Sequence, residues 1–327
     1  MSRLTVGLPV YNAMPFLPET VESLLSQSYG GFDILIIDDG STDGSSEYLD
    51  SLADNNRIKV CHQENRGLTA TLNRMLEETC TPWLVRQDAD DVAYPDRIER
   101  ISRYIQDFPE AGMFYSMADY FPKGSCVGTF RASIAAPEVL RNQTRAGYLL
   151  SICHPTVCLN VEKTCKVGGY RFNLHVEDID LWWRMALEYQ IKLIPETLLG
   201  FRQNTGSVSQ LNLERQAVNT LYIQYLLISH LWGLEPKSYE NVVDFLGTLL
   251  DRSFLKFKES IRMTNIAFSK GQRGRAVGYA LKSFISSPQS FMKRFAYEFA
   301  KDKAIVNGLN PLLFALNTHS LWGNDVK

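Results

Sequence analysis

The stretch that decides the fold is DILIIDDGSTD, residues 33–43. Its first five residues, Asp33–Ile37, are mostly aliphatic and β-branched, which predicts a buried β-strand. The turn Asp38-Asp39-Gly40 follows at once, and Asp43 is placed to cap a helix that we expect to reach about Ala53. A strand, a polar turn and a helix in succession form one unit of an α/β sheet.

The same unit recurs on both sides of this stretch. We predict further strands at Leu4–Val10, Arg57–His62 and Trp83–Arg86, and helices at Pro18–Gln27, at Leu68–Glu78 and after Tyr94-Pro95-Asp96. The alternation is typical of an α/β fold with a mostly parallel, open, Rossmann-like sheet and helices on both faces. Ligands of such sheets bind outside the carboxyl ends of the strands, so we expect the polar turns to converge there. These turns are Tyr11-Asn12, Asp38-Asp39-Gly40 and Gln87-Asp88-Ala89-Asp90-Asp91.

The second part of the chain has a different pattern. From about Ser209 onward the periodicity is helical throughout, and the breaks fall at Gly233, Pro236, Gly271 and Pro288. A chain of 327 residues also exceeds what one compact core usually serves. We therefore expect an α/β domain over residues 1–210 and an all-helical C-terminal region over residues 211–327.

The net charge of −2 hides an asymmetry along the chain. Residues 252–303 carry 12 Lys/Arg against 3 Asp/Glu, and the last 24 residues are balanced, which leaves −11 for residues 1–251. Clustered basic residues are attracted to an anionic membrane surface by ~1 kcal/mol each. Membrane docking is therefore one interpretation of this segment; solvated helix faces, or a helical dimerisation segment that makes a homo-oligomer, are the others. We expect no nucleic-acid partner.

Composition and cysteine usage limit the class of protein and the cellular compartment that we expect. With 45% hydrophobic and 21% charged residues the chain is an ordinary globular protein, which excludes disorder and a collagen-like repeat. The six cysteines form no CxxC pair or metal-ligand set, and the N-terminus lacks the pattern of a secretory signal. The most apolar run, Leu221–Trp232, is shorter than the ~20 residues of a membrane span. We expect a cytoplasmic protein, at most peripheral on the inner face of the plasma membrane.

The first candidate site is the acidic turn after the fourth predicted strand. Asp88, Asp90 and Asp91 place three carboxylates in four positions, and like charges this close repel unless a cation lies among them. A divalent ion held there would keep coordination positions for phosphate oxygens. The alternative is a solvated acidic turn that caps the next helix.

The second candidate site is the acidic start of a later helix. Glu177, Asp178 and Asp180 all fall in its first turn, where acids favour the helix dipole. Three acids exceed what capping needs, so we expect at least one to act as a base, although the spacing does not say which. Glycine-rich phosphate loops and the GxSxG nucleophile motif are absent from the sequence.

Taken in order, the motifs resemble the family 2 inverting glycosyltransferases with the GT-A fold, over about residues 3–210. The residues that carry the resemblance are Pro9-Val10-Tyr11-Asn12, Asp38 to Asp43, Asn65-Arg66-Gly67 with Asn73, Asp88-Ala89-Asp90-Asp91, Pro95-Asp96-Arg97, Gly168-Gly169-Tyr170, Glu177 to Trp182, and Arg202 with Ser207-Val208-Ser209.

The resemblance implies a role for each matching residue. The donor nucleotide would be held by Pro9, Tyr11, Asn12, Asp38, Asp39, Arg66, Gly67 and Asp88. Asp90 would ligate Mn²⁺ or Mg²⁺, and Asp178 would be the general base with Glu177 beside it. Family members often have a histidine two residues after the arginine of the last motif; here that residue is Asn204, which leaves the third metal ligand open between Asn204 and another group. His154, Trp182 and Arg202 are expected contacts of the acceptor or the diphosphate.

The resemblance therefore implies a metal-dependent inverting glycosyltransferase. It would move a hexosyl or N-acetylhexosaminyl unit from a nucleotide-diphosphate sugar, with UDP as the expected nucleotide, to a hydroxyl of a glycan or polyprenyl-diphosphate-linked acceptor in cell-surface polysaccharide synthesis. One alternative is a sugar nucleotidyltransferase, although no basic triphosphate loop follows the first strand. The other is a non-catalytic scaffold that binds sugar nucleotides.

Overall fold

The computed structural model describes residues 4–121, 129–130, 132–203 and 213–292. Within them one mixed sheet of eight strands runs in the order β3-β2-β1-β4-β7-β6-β8-β5. The strands are β1 (Thr5–Val10), β2 (Asp33–Asp38), β3 (Ile58–His62), β4 (Trp83–Arg86), β5 (Val92–Ala93), β6 (Met113–Phe121), β7 (Cys158–Asn160) and β8 (Ile191–Arg202).

Helices cover the sheet and continue past it. They are α1 (Leu17–Leu25), α2 (Ser45–Asp50), α3 (Leu68–Glu78), α4 (Arg97–Asp107), α5 (Pro137–Arg145), α6 (Val161–Lys166), α7 (Glu177–Glu188), α8 (Leu213–Trp232), α9 (Tyr239–Thr248), α10 (Arg252–Ser269) and α11 (Arg273–Ser286). The four strands β3, β2, β1 and β4 are parallel, as are β6 and β8. β7 is antiparallel to both β4 and β6, and β5 is antiparallel to β8.

Each face of the sheet has its own apolar core because the helices alternate between the two sides. α1 and α4 bury one stripe each against the first face, where Leu24 and Ile101 are 0–1% exposed. α3 and α7 pack on the opposite face through side chains such as Met75 and Leu181, both fully buried. A buried aliphatic side chain of this size contributes about 1.5–3 kcal/mol. The predicted α/β class, with a mostly parallel sheet and helices on both faces, is confirmed.

Several predicted boundaries coincide with the structure, and the differences have local reasons. α3 and β4 have the predicted bounds. The predicted cap is one residue off, because the N-cap of α2 is Gly44; Asp43 precedes it and accepts the N–H of Ser45 at 3.1 Å. α2 ends at Asp50, three residues before the predicted end. The sequence did not predict β7, because a three-residue strand carries almost no periodicity.

The C-terminal part of the described chain is helical, as predicted, and is joined to the α/β layer. α8 lies on α7 and shares an apolar cluster with it, in which Trp183, Tyr225 and Leu246 are buried. The predicted breaks at Gly233, Pro236 and Gly271 fall between helices, whereas the break between α9 and α10 was not predicted. The division at residue 210 stays a prediction. No helix in the described ranges is both long and apolar enough to cross a bilayer.

Candidate active site

The candidate site opens where β1 and β4 separate. β1 pairs with β4 only as far as Gly7 and Arg86, whereas its pairing with β2 continues to Val10 and Asp38. The N–H of Gln87 donates to the carbonyl of Gly7 at 3.0 Å. Because backbone groups two residues apart in a strand point to the same side, the backbone of Pro9 also faces β4. Proline has no N–H to donate, and no donor is needed there because β4 has already ended. The result is a crevice between the end of β1 and the acidic turn after β4.

The loops after β1 and β2 are joined by side-chain hydrogen bonds. Asn12 donates its N–H to Ser41 Oγ at 3.0 Å, and its Oδ1 accepts the N–H of Thr42 at 2.8 Å. Its φ of +48° lies in the left-handed region, which asparagine tolerates better than most residues. Tyr11 keeps 54% of its surface exposed, an unusual state for so large an aromatic side chain. Tyr11 is therefore available to a ligand, while Asn12 holds the loops together.

Asp38 is buried at the end of β2 and is fully engaged. Its carboxylate accepts the N–H of Ser41 at 3.1 Å and the hydroxyl of Ser46 at 2.6 Å, and it contacts His62 Nδ1 at 2.8 Å. Burial opposes ionisation, but these hydrogen bonds outweigh it and hold the pKa of Asp38 below its ordinary value. The carboxylate is thus a fixed anion beneath the loop.

Asp39 shapes the loop that leads into α3. Its carboxylate accepts the backbone N–H groups of Arg66 at 2.8 Å and Gly67 at 2.9 Å, and the side-chain amide of Gln63 at 2.6 Å. A side chain at Gly40 would place a Cβ 2.9 Å from a backbone nitrogen of this loop, and the φ of +78° there also favours glycine. The structure therefore brings Asp39, Arg66 and Gly67 together, and their role in donor binding stays a prediction.

The acidic turn gathers three carboxylates. Oxygens of Asp88, Asp90 and Asp91 lie within 4.8 Å of one another. Burial, then the charge of Asp88, raises the pKa of Asp90 to about 6. Burial and the charges of its two neighbours raise the pKa of Asp91 further above its ordinary value. Like charges in a low-dielectric pocket disfavour one another, and a divalent cation would relieve the repulsion.

One oxygen supports a cation at this turn. Asp91 uses Oδ1 to accept the N–H of Arg202 at 2.8 Å. Its Oδ2 is buried and has no hydrogen-bond partner among the described residues. A buried carboxylate oxygen without a partner costs free energy, so the donor set suits a hard cation that prefers oxygen ligands.

Two buried arginines support the turn from behind, and the sequence reasoning assigned neither a role. Arg86, 2% exposed, forms an ion pair with Asp88. Arg97 is fully buried and donates to the Gln87 side chain and to the carbonyls of Arg86 and Pro155, the last two at 2.6 Å. Burial lowers the pKa of Arg97 to about 10. For Arg86 the sequence did contain a signal, namely an arginine inside an apolar strand, because a buried charge is rare unless it is paired.

Arg202 also holds the acidic turn in place. Its Nε donates to the carbonyl of Asp90 at 2.7 Å, and its Nη2 pairs with Glu19. The guanidinium lies over the rings of Phe16 and Phe121, at 4.6 and 4.7 Å from their centroids. The predicted contact of Arg202 with a diphosphate or acceptor stays a prediction. Asn204, the other residue predicted in this motif, lies outside the described residues.

The structure separates the three acids at the start of α7. Asp180 is fully buried and pairs with Arg171 and Arg184, each at 2.7 Å. The carboxylate of Asp178 accepts the N–H of Ile179 at 2.8 Å, and the residue lines an open cavity. Burial raises its pKa to about 6, and burial followed by the charge of Asp178 raises the pKa of Glu177 to about 7. Asp178 is thus the acid that borders this cavity, while Asp180 is paired with two arginines inside the protein.

The predicted contacts around His154 are corrected in one respect. His154 Nε2 lies 3.0 Å from the hydroxyl of Tyr170, and burial followed by the charge of Arg86 lowers its pKa well below the ordinary value. Trp182 is fully buried and meets the His154 ring edge-on at 5.6 Å between centroids. A side chain without exposed surface does not contact an acceptor, so the direct contact predicted for Trp182 is wrong. Trp182 packs behind His154.

The fold and the site together define a class. The structure combines a mixed α/β sheet with an acidic turn after β4 and a second acidic group at the start of α7. The family model of glycosyl transferase family 2 matches residues 5–155. The matched residues, 5–155, are those of a family 2 glycosyltransferase, which confirms the class expected from the sequence.

Relatives and solved structures agree with that class. The chain is 29% identical over 197 residues to EpsE of Bacillus subtilis, named as a glycosyltransferase, and this match covers 57% of this chain and 67% of EpsE. It is 27% identical over 214 residues to the poly-β-1,6-N-acetyl-D-glucosamine synthase of Staphylococcus aureus, over 61% of this chain and 52% of the synthase. The chain thus spans about half the length of that relative and two thirds of EpsE.

Two solved structures share the fold. S. aureus TarS 1-349 in complex with UDP-GlcNAc has a TM-score of 0.55 at 14% identity, over 88% of this chain and 92% of that one. The mannosyltransferase PcManGT of Pyrobaculum calidifontis, in complex with GDP-Man and Mn²⁺, has a TM-score of 0.56 at 16% identity, over 90% and 84%. At these identities the likeness is one of fold alone.

Proposed function

We propose that this protein is a metal-dependent inverting glycosyltransferase that uses a nucleotide-diphosphate sugar. The observation that carries the proposal is the electrostatic coupling between the two acidic groups. Burial is the main cause of the raised pKa of Asp178 and of Glu177 at the start of α7, and the charge of Asp88, in the turn after β4, adds to it. A metal-binding turn and a base are therefore within electrostatic range of each other, as a single displacement at one anomeric carbon requires.

The donor would lie along the crevice from Tyr11 to the acidic turn. Tyr11 has an exposed ring that would contact the donor. Arg66 and Gly67 lie in the loop that Asp39 holds by hydrogen bonds, and they would contact the nucleoside or its phosphates. Asp90, with Asp88 or Asp91, would hold Mn²⁺ or Mg²⁺, which when bound supplies positive charge against the leaving diphosphate. The solved neighbours with UDP-GlcNAc, and with GDP-Man and Mn²⁺, support a nucleotide sugar and a cation here, with UDP as the expected nucleotide.

At the reacting centre, Asp178 would act as the general base. Its carboxylate takes the proton of the acceptor hydroxyl as that oxygen attacks the anomeric carbon from the face opposite the diphosphate. The configuration inverts because there is one displacement. Proton transfer of this kind needs the base within about 3 Å of the hydroxyl and a pKa near the working pH. A pKa of about 6 meets the second condition.

The acceptor we propose is a hydroxyl of a glycan or lipid-linked sugar, in cell-surface polysaccharide synthesis on the inner face of the membrane. The similarity to a polysaccharide synthase supports this choice, and the transferred unit would be a hexosyl or N-acetylhexosaminyl group. The basic segment 252–303 fits an anionic leaflet, as argued below.

Binding and transfer test the proposal separately. Isothermal titration of the full chain with UDP and with GDP, each with and without Mn²⁺, should show metal-dependent binding that Asp90→Asn weakens. Transfer from UDP-GlcNAc to water or a panel of glycans should be lost in Asp178→Asn while UDP binding persists. Asp54→Asn, an exposed acid away from the crevice, is the matched control. Undiminished transfer by Asp178→Asn would overturn the assignment of Asp178 as the base. Nucleotide binding that does not depend on Mn²⁺ would overturn the proposal that a cation is bound at the acidic turn.

A further inference from the structure

Side chains of α8 hold the loop that precedes α7. Gln216 Nε2 donates to the backbone carbonyl of His175 at 2.9 Å, and Asn219 Nδ2 donates to that of Leu174 at 2.6 Å. Asn219 has no exposed surface, and its Oδ1 accepts the hydroxyl of Tyr239 in α9 at 2.6 Å. The helical part of the chain therefore fixes two successive carbonyls of the loop, immediately before the acids of α7.

His175 adopts a left-handed backbone conformation in this loop, with a φ of +57°. Glycine adopts this conformation without steric cost, and asparagine does so more readily than most residues. After the turn, Val176 lies in the apolar cluster shared with α8, where it is 3% exposed. The turn thus calls for a residue that tolerates a positive φ, but it does not call for an imidazole ring.

The imidazole of His175 has no partner among the residues that the structure describes. The bond from Gln216 goes to the backbone of His175, and no hydrogen bond, ion pair or ring contact joins the ring itself to the described chain. The three other histidines in the described ranges each contact a neighbouring side chain: His62, His154 and His230. His175 is half-buried, and its ring can both donate and accept a hydrogen bond. The ring is therefore available to a ligand.

His175 and Asp178 line the same cavity between α7 and α8. The cavity has a volume of about 240 Å³ and opens to solvent. Sites for drug-sized ligands run from about 300 to 1,000 Å³, so this cavity suits one sugar ring and not a whole nucleotide sugar. If Asp178 is the base, the acceptor hydroxyl must approach it. The unit that enters the cavity therefore belongs to the acceptor.

The walls of the cavity suit an uncharged sugar ring. Apolar side chains match the C–H face of a pyranose, and uncharged polar side chains match its hydroxyl groups. Lys258 also borders the cavity, but it is exposed to solvent. The remaining lining residues are apolar or uncharged: Val176, Ile179, Leu213, Gln216, Ala217 and Thr220.

We propose that His175 hydrogen-bonds a hydroxyl of an uncharged acceptor sugar beside Asp178, and that α8 holds His175 in place. The proposal rests on the proposed function and deepens it, since it names a specificity-determining residue and the class of unit that the cavity takes. His175 and α8 lie beyond residues 5–155, so the family match assigns them no role.

Ring resonances of the full chain test the contact directly. The Cε1–H signal of His175 is assigned by its absence in His175→Asn. It should shift when the methyl β-glycosides of glucose, galactose and N-acetylglucosamine are each titrated into the protein with UDP and Mn²⁺. The signal of His230, which is exposed at the opposite end of α8, should not move. A His175 signal that moves with none of the three sugars overturns the contact.

Kinetics give the size of the effect. With UDP-GlcNAc and the glycoside that causes the largest shift, His175→Asn should raise the acceptor KM about three- to tenfold, as expected of one lost hydrogen bond. Transfer to water and UDP affinity should stay unchanged, because neither needs the acceptor. The midpoint of urea unfolding should not fall, because asparagine tolerates the left-handed turn. His230→Asn, the same substitution outside the cavity, is the matched control and should leave the acceptor KM unchanged.

The outcomes separate this proposal from the function on which it rests. An unchanged acceptor KM in His175→Asn overturns the role of His175. If UDP affinity falls by the same factor, His175 serves the donor and the acceptor assignment is wrong. If the midpoint of unfolding falls together with acceptor binding, the ring is structural and the proposal is again wrong. If the wild type neither binds UDP nor transfers sugar, the proposed function fails, while the ring shift still reports whether His175 meets a sugar.

Discussion

Asp178 and Asp180 are two residues apart on one helix, and their surroundings give them opposite properties. Asp180 is surrounded by two guanidinium groups and the indole N–H of Trp183, at 3.2 Å, so its charge is neutralised in the core. Asp178 accepts one backbone N–H, that of Ile179, and borders an open cavity. Residue type and spacing predicted an acidic cluster, and the contacts in the structure distinguish the acid that borders a cavity from the acid that is paired in the core.

The raised pKa of Asp178 predicts a pH profile. A base must be ionised to accept a proton, so kcat/KM should rise with pH and level off above the pKa of about 6. Glu177 titrates beside it, which should broaden the rise toward pH 7. Measured between pH 5 and 8, a flat profile in the wild type would contradict Asp178 as the base.

The acidic turn predicts that metal affinity depends on pH. Without a cation the pKa of Asp90 is about 6, and a bound cation must displace that proton. Mn²⁺ affinity, measured by titration calorimetry, should therefore be higher at pH 7.5 than at pH 5.5. Asp90→Asn should weaken binding and flatten this dependence, whereas Asp54→Asn should do neither. Equal affinity at both pH values would place the cation elsewhere.

At the scale of elements, the helices and strands with strong hydrophobic periodicity were predictable from the sequence. Very short strands, and strands that form only because a neighbour pairs with them, were not. α3 has both an amphipathic stripe and a glycine at its start, Gly67, which set its bounds in the sequence. β7 and β5, three and two residues long, exist because neighbouring strands offer them partners. The convergence of the turns after β1, β2 and β4 followed from sheet geometry alone. The supports of the site, Arg86 and Arg97, required knowledge of what packs beneath the turn.

The contrast between the two acids of α7 predicts a separation of stability from activity. Removing one partner of a buried ion pair typically costs about 3–5 kcal/mol, because the remaining charges stay buried. Asp180→Asn should therefore lower the free energy of unfolding in urea by roughly this amount. Asp178→Asn removes a carboxylate that burial already disfavours, so its stability should equal or exceed that of the wild type. Equal losses in both variants would mean that Asp178 is also structural.

At the scale of the whole molecule, part of the basic excess of residues 252–303 falls on α11, where it flanks an exposed apolar stripe. Val277, Leu281 and Ile285, at 61%, 59% and 76% exposure, form the stripe together with Phe284. α11 carries three basic residues and no acid. An apolar stripe with basic flanks matches an anionic bilayer surface better than a protein partner of unknown charge.

Membrane docking through α11 is therefore the prediction for the molecule as a whole. The full chain should sediment with vesicles that contain phosphatidylglycerol, less with neutral ones, and less again as salt rises, because the basic flanks are screened. Replacing Leu281 and Ile285 with Ser removes apolar contact without changing charge, so it should weaken binding and leave UDP affinity intact. Val139→Ser, at an exposed apolar position on α5, is the matched control. If light scattering instead shows a lipid-independent dimer that the double variant abolishes, the stripe joins two copies and the docking prediction is wrong.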